Sequence, residues 1–333
     1  MSMLKAPPLD FDKTWATLSK EVGRLVTDFS QGISHEQFVC LHTYIYKLCT
    51  IPQGQLRRPL PDRLYFSLKA LLEEFCGRVA TDLLNSPSIL TLYASRWHGY
   101  CTGMQFVDRL FDYLNRYWVK THSSSGVTPL AGVYASIYEM GIAVWQGTVQ
   151  CPAVAERVYE AIWGEAICGR MGQVADYMSV RAVLAIYLQL GSRGDNSVYN
   201  ADFSLPFVQR TYHFYAQEAA ALMASVECSG YVSEAHSRIS SELAAASRYT
   251  AHETLPHICR ACERAFIGQQ QVPLQAFFDE LLTSEDRREE LWKLFSLLRR
   301  VDGTLDSGRK KFQELVAKSG TEAVNAFFAE IEQ

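Results

Sequence analysis

FVDRLFDYLNRYWVK, residues 106–120, decides how the rest of the chain is read. At helical spacing it carries two faces. Val107, Leu110, Phe111, Leu114 and Trp118 recur at i, i+3, i+4, i+7 and i+11 and form an apolar stripe. Phe106, Arg109, Tyr113, Arg116 and Tyr117 form a second stripe of aromatics and arginines. One stripe is enough to cover a core, whereas Tyr, Phe and Arg together are the composition of a partner-facing surface. A helix buried on both sides is the alternative reading of the same pattern.

The segment 34–50 repeats the theme. Ser34 and Gln37 have capping-box spacing and start a helix that runs to about Cys49. Phe38, Leu41, His42, Ile45, Tyr46 and Cys49 form one continuous stripe, and Cys40, Tyr44 and Leu48 a second. Two such double-faced helices, side by side, would make an aromatic groove for a partner helix or loop.

Helical periodicity dominates elsewhere, and no segment alternates in the manner of a strand. Helices are expected at about 11–29, 63–84, 88–100, 130–145, 152–168, 174–190 and 199–224. A long helix over about 232–266, bent at Pro256, should follow, then shorter ones at about 273–282, 285–300 and 306–318 and a short terminal one. Loops rich in Pro, Gly or Ser fall at 51–63, 121–129 and 191–197. The expected class is all-α: an elongated, solenoid-like stack of helical bundles, each burying its end against the next. No exact internal repeat accompanies it.

The composition narrows the function. Of 333 residues, 48% are hydrophobic and 20% charged, which fits a folded chain with a sizeable core. The net charge of −4 is spread without a basic block, so nucleic acid is not an expected partner. No apolar run is long enough to span a bilayer, and the first residues lack the apolar centre of a signal peptide. The nine cysteines are scattered through apolar helical stretches, as expected of free thiols in a reducing compartment, the cytoplasm or nucleus.

Candidate chemistry is sparse. His252, His257, Cys259 and Cys262 are residue types that bind zinc. They fall within a few turns of one helical segment, without the intervening loop that lets ligand pairs close on a metal. No phosphate-cradling glycine motif is present, and paired carboxylates such as Glu73-Glu74 and Glu289-Glu290 read as solvated helix turns. Neither a catalytic site nor a cofactor is expected.

DYLNRYWVK (112–120) resembles the signature of the cullin N-terminal domain, close to the cullin-1-type scaffold. Further pieces resemble the family in order: 11–26, 34–50 with Tyr46 and Cys49, 92–100, 198–223 with Thr211, Phe214 and Tyr215, 231–254, and 291–320 ending its first helix at Gly303. The resemblance implies five-helix repeats stacked into a stalk, with a first repeat at 1–124, a second at 125–230 and an incomplete third at 231–333. It also implies a non-catalytic scaffold of a ubiquitin ligase. Such a scaffold docks a BTB/POZ-type adaptor carrying an F-box protein on the second and fifth helices of its first repeat. Transferred by position, the contacts are Phe38, Leu41, His42 and Tyr46 with Tyr113 and Arg116, joined by Ile45 from the same stripe and by Phe106 and Arg109 on spacing.

The sequence departs from the family pattern at Ala244 and Ala245, where charge is usual, and at His42, where an aromatic, usually Tyr, is common. The family's C-terminal half, which binds a RING-box protein, is not in this sequence, so that partner is expected only where that half is present. A helical scaffold such as a vesicle-tethering subunit would share the architecture without the ubiquitin role.

Overall fold

Helix α1 (Phe11–Thr27) starts where the Asp10 side chain accepts the Asp12 amide, and it buries Leu18, Val22, Leu25 and Val26 on one face. The structure, a computed structural model, describes residues 10–28, 32–51, 59–123, 134–191, 197–284 and 286–331. Most of the loop expected at 51–63, and much of those at 121–129 and 191–197, lies outside the described residues. The described elements are helices throughout, without a strand among them, and no described helix is long and apolar enough to cross a membrane.

The helices fall into two compact units, one of Met1–Glu165 with Ala185–Asn196, the other of Ala166–Leu184 with Ser197–Gln333. The first holds α1, α2 (His35–Thr50), α3 (Leu60–Asn85), α4 (Ile89–Leu110), the short α5 (Asp112–Leu114) and α6 (Lys120–Ser123), α7 (Ile137–Thr148) and most of α8 (Pro152–Arg170). Its centre is aromatic. Trp145 packs against Tyr93, Trp97 and Tyr100, with ring centroids 5.0–6.0 Å apart. The two hydroxyls are satisfied in place: Tyr93 donates to Gln150 Oε1 at 2.7 Å and Tyr100 to the Gly141 carbonyl at 2.8 Å. That is the condition for burying tyrosine cheaply.

Helix α4 does not stop near Tyr100 as its sequence suggested; it runs on to Leu110 because Cys101-Thr102-Gly103 is a crossing point rather than a break. A β-carbon on Gly103 would meet the α1 backbone at Leu25 and at Val26 Cα, 2.8 Å away. Overpacking of this kind costs about 1–3 kcal/mol. Gly103→Ala should therefore lower the midpoint of urea unfolding without altering the surface of α2; an unchanged midpoint would show that the crossing is loose.

The second unit continues with α9 (Tyr177–Leu190, whose last residues belong to the first), α10 (Ser197–Tyr199), α11 (Leu205–Ser225), α12 (Cys228–Ala246), α13 (Leu255–Glu263), α14 (Gln271–Leu282), α15 (Arg288–Leu298) and α16 (Asp306–Ile331). The long helix expected over 232–266 is two, α12 and α13. The backbone leaves the helix after Ala246, and a short 3₁₀ turn at His252–Thr254 re-enters it with Pro256 in the first turn of α13, where its missing N–H is harmless. Conversely, the break expected near Lys318 is absent. Ser319-Gly320 continues α16, since one glycine inside a helix costs only about 1 kcal/mol.

Arg170, the last residue of α8, is the centre of this unit's core. Gly172 follows in the left-handed conformation (φ 73°) and turns the chain away, while the Gln173 amide donates back to the Cys168 carbonyl at 2.8 Å. The Arg170 side chain is 6% exposed, and its partner Glu242 on α12 is 2% exposed. Nε donates to Glu242 Oε2 at 3.0 Å, and Nη2 donates to Oε1 at 2.6 Å and to Thr211 Oγ1 at 3.0 Å. Tyr215 donates its hydroxyl to Glu242 Oε2 at 2.7 Å. The guanidinium lies 4.8 Å from the Phe214 ring centre and 5.2 Å from that of Tyr215. Burial opposes the charge of Arg170, but the hydrogen bonds and charge of Glu242 outweigh it and hold the guanidinium protonated above its ordinary range.

Candidate docking surface

Helix α2 is built to expose one row of rings beside a buried one. The Ser34 hydroxyl accepts the Gln37 amide, and the Gln37 side chain accepts the Ser34 amide in return, so the helix starts at a fixed residue and its phase is set. Leu41, Ile45 and Leu48 then point into the core, 4%, 0% and 0% exposed. Phe38, His42 and Tyr46 occupy the adjoining row; the first two are half-buried and Tyr46 is exposed. The Phe38 and His42 rings lie nearly parallel with centroids 6.2 Å apart.

The stretch 106–120 is not one helix. Phe111 (φ −94°, ψ 16°) interrupts it, and Asn115–Val119 form a π-turn between α5 and α6. Leu110, Phe111, Leu114 and Val119 still face the core. The π-turn brings Tyr117 beside Tyr113, with centroids 4.4 Å apart, and Tyr113 meets Tyr46 of α2 edge-on at 4.8 Å. The result is a row of three tyrosines, Tyr46, Tyr113 and Tyr117, spanning two elements and continuing along α2 to His42 and Phe38. Partial desolvation, then the neighbouring phenols, raise the Tyr113 pKa. Burial pushes the Cys49 thiol, which also acts on Tyr113, up to about 12. This part of the surface presents aromatic faces edged by hydroxyls.

The charges stand at the rim. Arg116 is exposed, and its Nε donates to Asp112 Oδ1 at 2.9 Å one turn back. Phe106 and Arg109 belong to α4, on the far side of the interruption at Phe111, with the guanidinium 5.6 Å from the ring centre. Of the residues expected to touch a partner, Phe38, His42, Tyr46, Tyr113 and Arg116 thus stand at the surface of two adjoining elements. Leu41 and Ile45 are corrected to core residues: at 4% and 0% exposure they support the row from beneath. Tyr117, 62% exposed, belongs to the row by its i+4 spacing from Tyr113.

Asn115 fastens this surface to α7. Its side-chain amide donates to Asp108 Oδ1 at 2.9 Å, and its carbonyl accepts the Ile137 amide at 2.9 Å. Asp108 Oδ1 accepts the Tyr138 amide as well, at 3.0 Å. The two side chains thereby satisfy the first amides of α7 and fasten it to the turn that carries the tyrosines.

The family model of the cullin alpha solenoid domain matches residues 15–330. The chain belongs to the cullin family. It is 22% identical to Cullin-1 of Dictyostelium discoideum over 98% of this chain and 45% of that protein. It is 25% identical to Cullin-1 of Schizosaccharomyces pombe, over 93% of this chain and 42% of that one. To Cullin-2 of Caenorhabditis elegans it is 23% identical over 99% and 44%. The chain thus spans less than half the length of these cullins.

In this cullin the ordered motifs have separable structural roles. Within DYLNRYWVK, Leu114 and Val119 fill the core, Asn115 fastens α7, and Tyr113, Arg116 and Tyr117 point outward. Thr211, Phe214 and Tyr215 surround Arg170. The His252–Cys262 segment forms no convergent ligand set. His252 and His257 are exposed, Cys259 Sγ donates to Glu263 Oε1 at 3.3 Å, and Cys262 is buried. Burial and then Glu263 push the Cys259 thiol up to about 11, and burial raises Cys262 further, which disfavours the thiolate a metal needs. Among the described residues no group of three or more His, Cys, Asp and Glu side chains could hold a metal ion. Incubation with a chelator should leave the helical circular dichroism unchanged, whereas a loss of helix would reveal a structural metal, whose binding energy is folding energy.

Proposed function

We propose that this cullin is a non-catalytic ubiquitin-ligase scaffold and docks a BTB/POZ-fold adaptor, itself carrying an F-box substrate receptor, on α2 and the 112–119 segment. The observation that carries the proposal is the row Tyr46–Tyr113–Tyr117, presented outward over a buried base and flanked by Phe38 and His42. Tyrosines held by packing lose little freedom on binding and offer both apolar area and hydroxyls, the usual make-up of an interface hot spot. Arg116 and Asp112 supply a charged rim, which governs encounter more than affinity.

On this reading the chain divides into three helical repeats, 1–124, 125–230 and 231–333, with the adaptor on the first. Scattered free thiols fit work in the cytoplasm and nucleus. A RING-box partner belongs to the reading only where sequence equivalent to the remainder of the longer cullins is joined to this chain. Immobilised chain should retain a purified BTB/POZ-type adaptor, and should retain an F-box protein only when the adaptor is present. Retention of the F-box protein without the adaptor, or of neither, would refute the proposal.

A further inference from the structure

A second surface, wholly within the unit of Ala166–Leu184 and Ser197–Gln333, has the form of a receptor for an acidic segment. An open groove of about 760 Å³ lies between α11 and α13. One wall is apolar: Leu205, Val208 and Tyr212, at i, i+3 and i+7 along α11. Leu205 is 69% exposed, although it begins a well-packed helix. The other wall is basic: His257, Arg260 and Arg264, again at i, i+3 and i+7, all exposed.

The two arginines are placed to receive something else. Among the described residues neither has a carboxylate within ion-pair distance. Glu263, next to Arg264, instead lies 3.8 Å from Arg300 and accepts the Cys259 thiol. Among the described residues that line the groove, Glu253 is the one carboxylate, against two permanent cations. Arg264 sits 5.3 Å from the Tyr212 ring centre, and Tyr212 in turn accepts a hydrogen bond from Gln269 Nε2 at 2.7 Å. The guanidinium is therefore already oriented over the groove, so less freedom remains to be lost on binding.

We propose that this groove binds an acidic amphipathic helix of a partner protein. An apolar row and a basic row with the same helical pitch match a helix carrying leucine-like residues on one edge and carboxylates on the next. Two cations in a chain of net charge −4 are too few for a nucleic-acid track. The apolar wall faces a basic wall across a groove, a shape that suits an inserted helix edge better than a flat lipid surface.

The test uses the full chain and a fluorescein-labelled helical peptide with Glu and Leu at matching spacing, followed by anisotropy. Two control peptides replace all Glu by Lys or all Leu by Ser. The Glu/Leu peptide should bind at least tenfold more tightly than either control, and more weakly as salt is raised. Arg260→Glu combined with Arg264→Glu, and separately Leu205→Ser, should each weaken it at least tenfold at an unchanged melting temperature. Tyr113→Ala should leave it unaltered, which separates this groove from the adaptor surface. Equal binding of a control, no binding at all, or full binding by the Arg260/Arg264 variant would overturn the proposal. So would sedimentation of the chain with phosphatidylserine vesicles that the same variant abolishes.

Discussion

Glu242→Ala is expected to destabilise the protein by about 3–5 kcal/mol, the range for removing one partner of a buried ion pair. The cause is what remains. Without Glu242, Arg170 keeps its charge at 6% exposure, beside the Thr211 hydroxyl and the faces of Phe207, Phe214 and Tyr215 but without its carboxylate. The Tyr215 hydroxyl, 2.7 Å from the lost carboxylate, loses its acceptor as well. Replacing both members by apolar residues, Arg170→Met with Glu242→Leu, should cost clearly less than Glu242→Ala alone, because no charge is then stranded. Thermal and urea unfolding of the single and double variants measure the difference. A double variant as unstable as the single would mean that the pair's geometry, and not its charge balance, holds α8 to α12.

Tyr113→Ala is expected to weaken adaptor binding by at least about thirtyfold, the typical effect of truncating a central aromatic anchor. Tyr113 lies between Tyr46 and Tyr117, so its removal opens the middle of the row. Phe38→Ala, at the other end of α2, should weaken binding in the same direction. Both should lower the melting temperature far less than they weaken binding, since the two rings are only half-buried. Leu110→Ala should do the reverse, costing about 2–5 kcal/mol of stability while the surface residues stay in place, because Leu110 is 1% exposed in the core. Calorimetric titration of adaptor against the three variants, with melting curves in parallel, separates these effects.

The all-helical class was legible from periodicity, because packing against a core imposes a helical repeat on nearly every segment. The separation of the two rows on α2 was not. At 3.6 residues per turn the mean direction of Leu41 and Ile45 lies only about a quarter turn from that of Phe38, His42 and Tyr46, so a stripe drawn from hydrophobicity merges them. The phase along 106–120 was hidden for a different reason. The interruption at Phe111 and the π-turn at 115–119 each shift the register, and a strict helical repeat carries no term for either. The Arg170–Glu242 pair was out of reach, since its members are 72 residues apart in sequence and each resembles an ordinary surface charge. Gly103 and Gly320 read locally as possible breaks, and only the packing of α1 on α4 and the continuity of α16 show otherwise.

Adaptor docking on α2 and the 112–119 segment is tested most directly by amide hydrogen exchange of the chain with and without the purified adaptor. Slowed exchange confined to residues 35–50 and 112–120, with the α11 and α13 amides unaffected, is the predicted result. Adaptor-dependent protection elsewhere, with both of those segments unchanged, would contradict it.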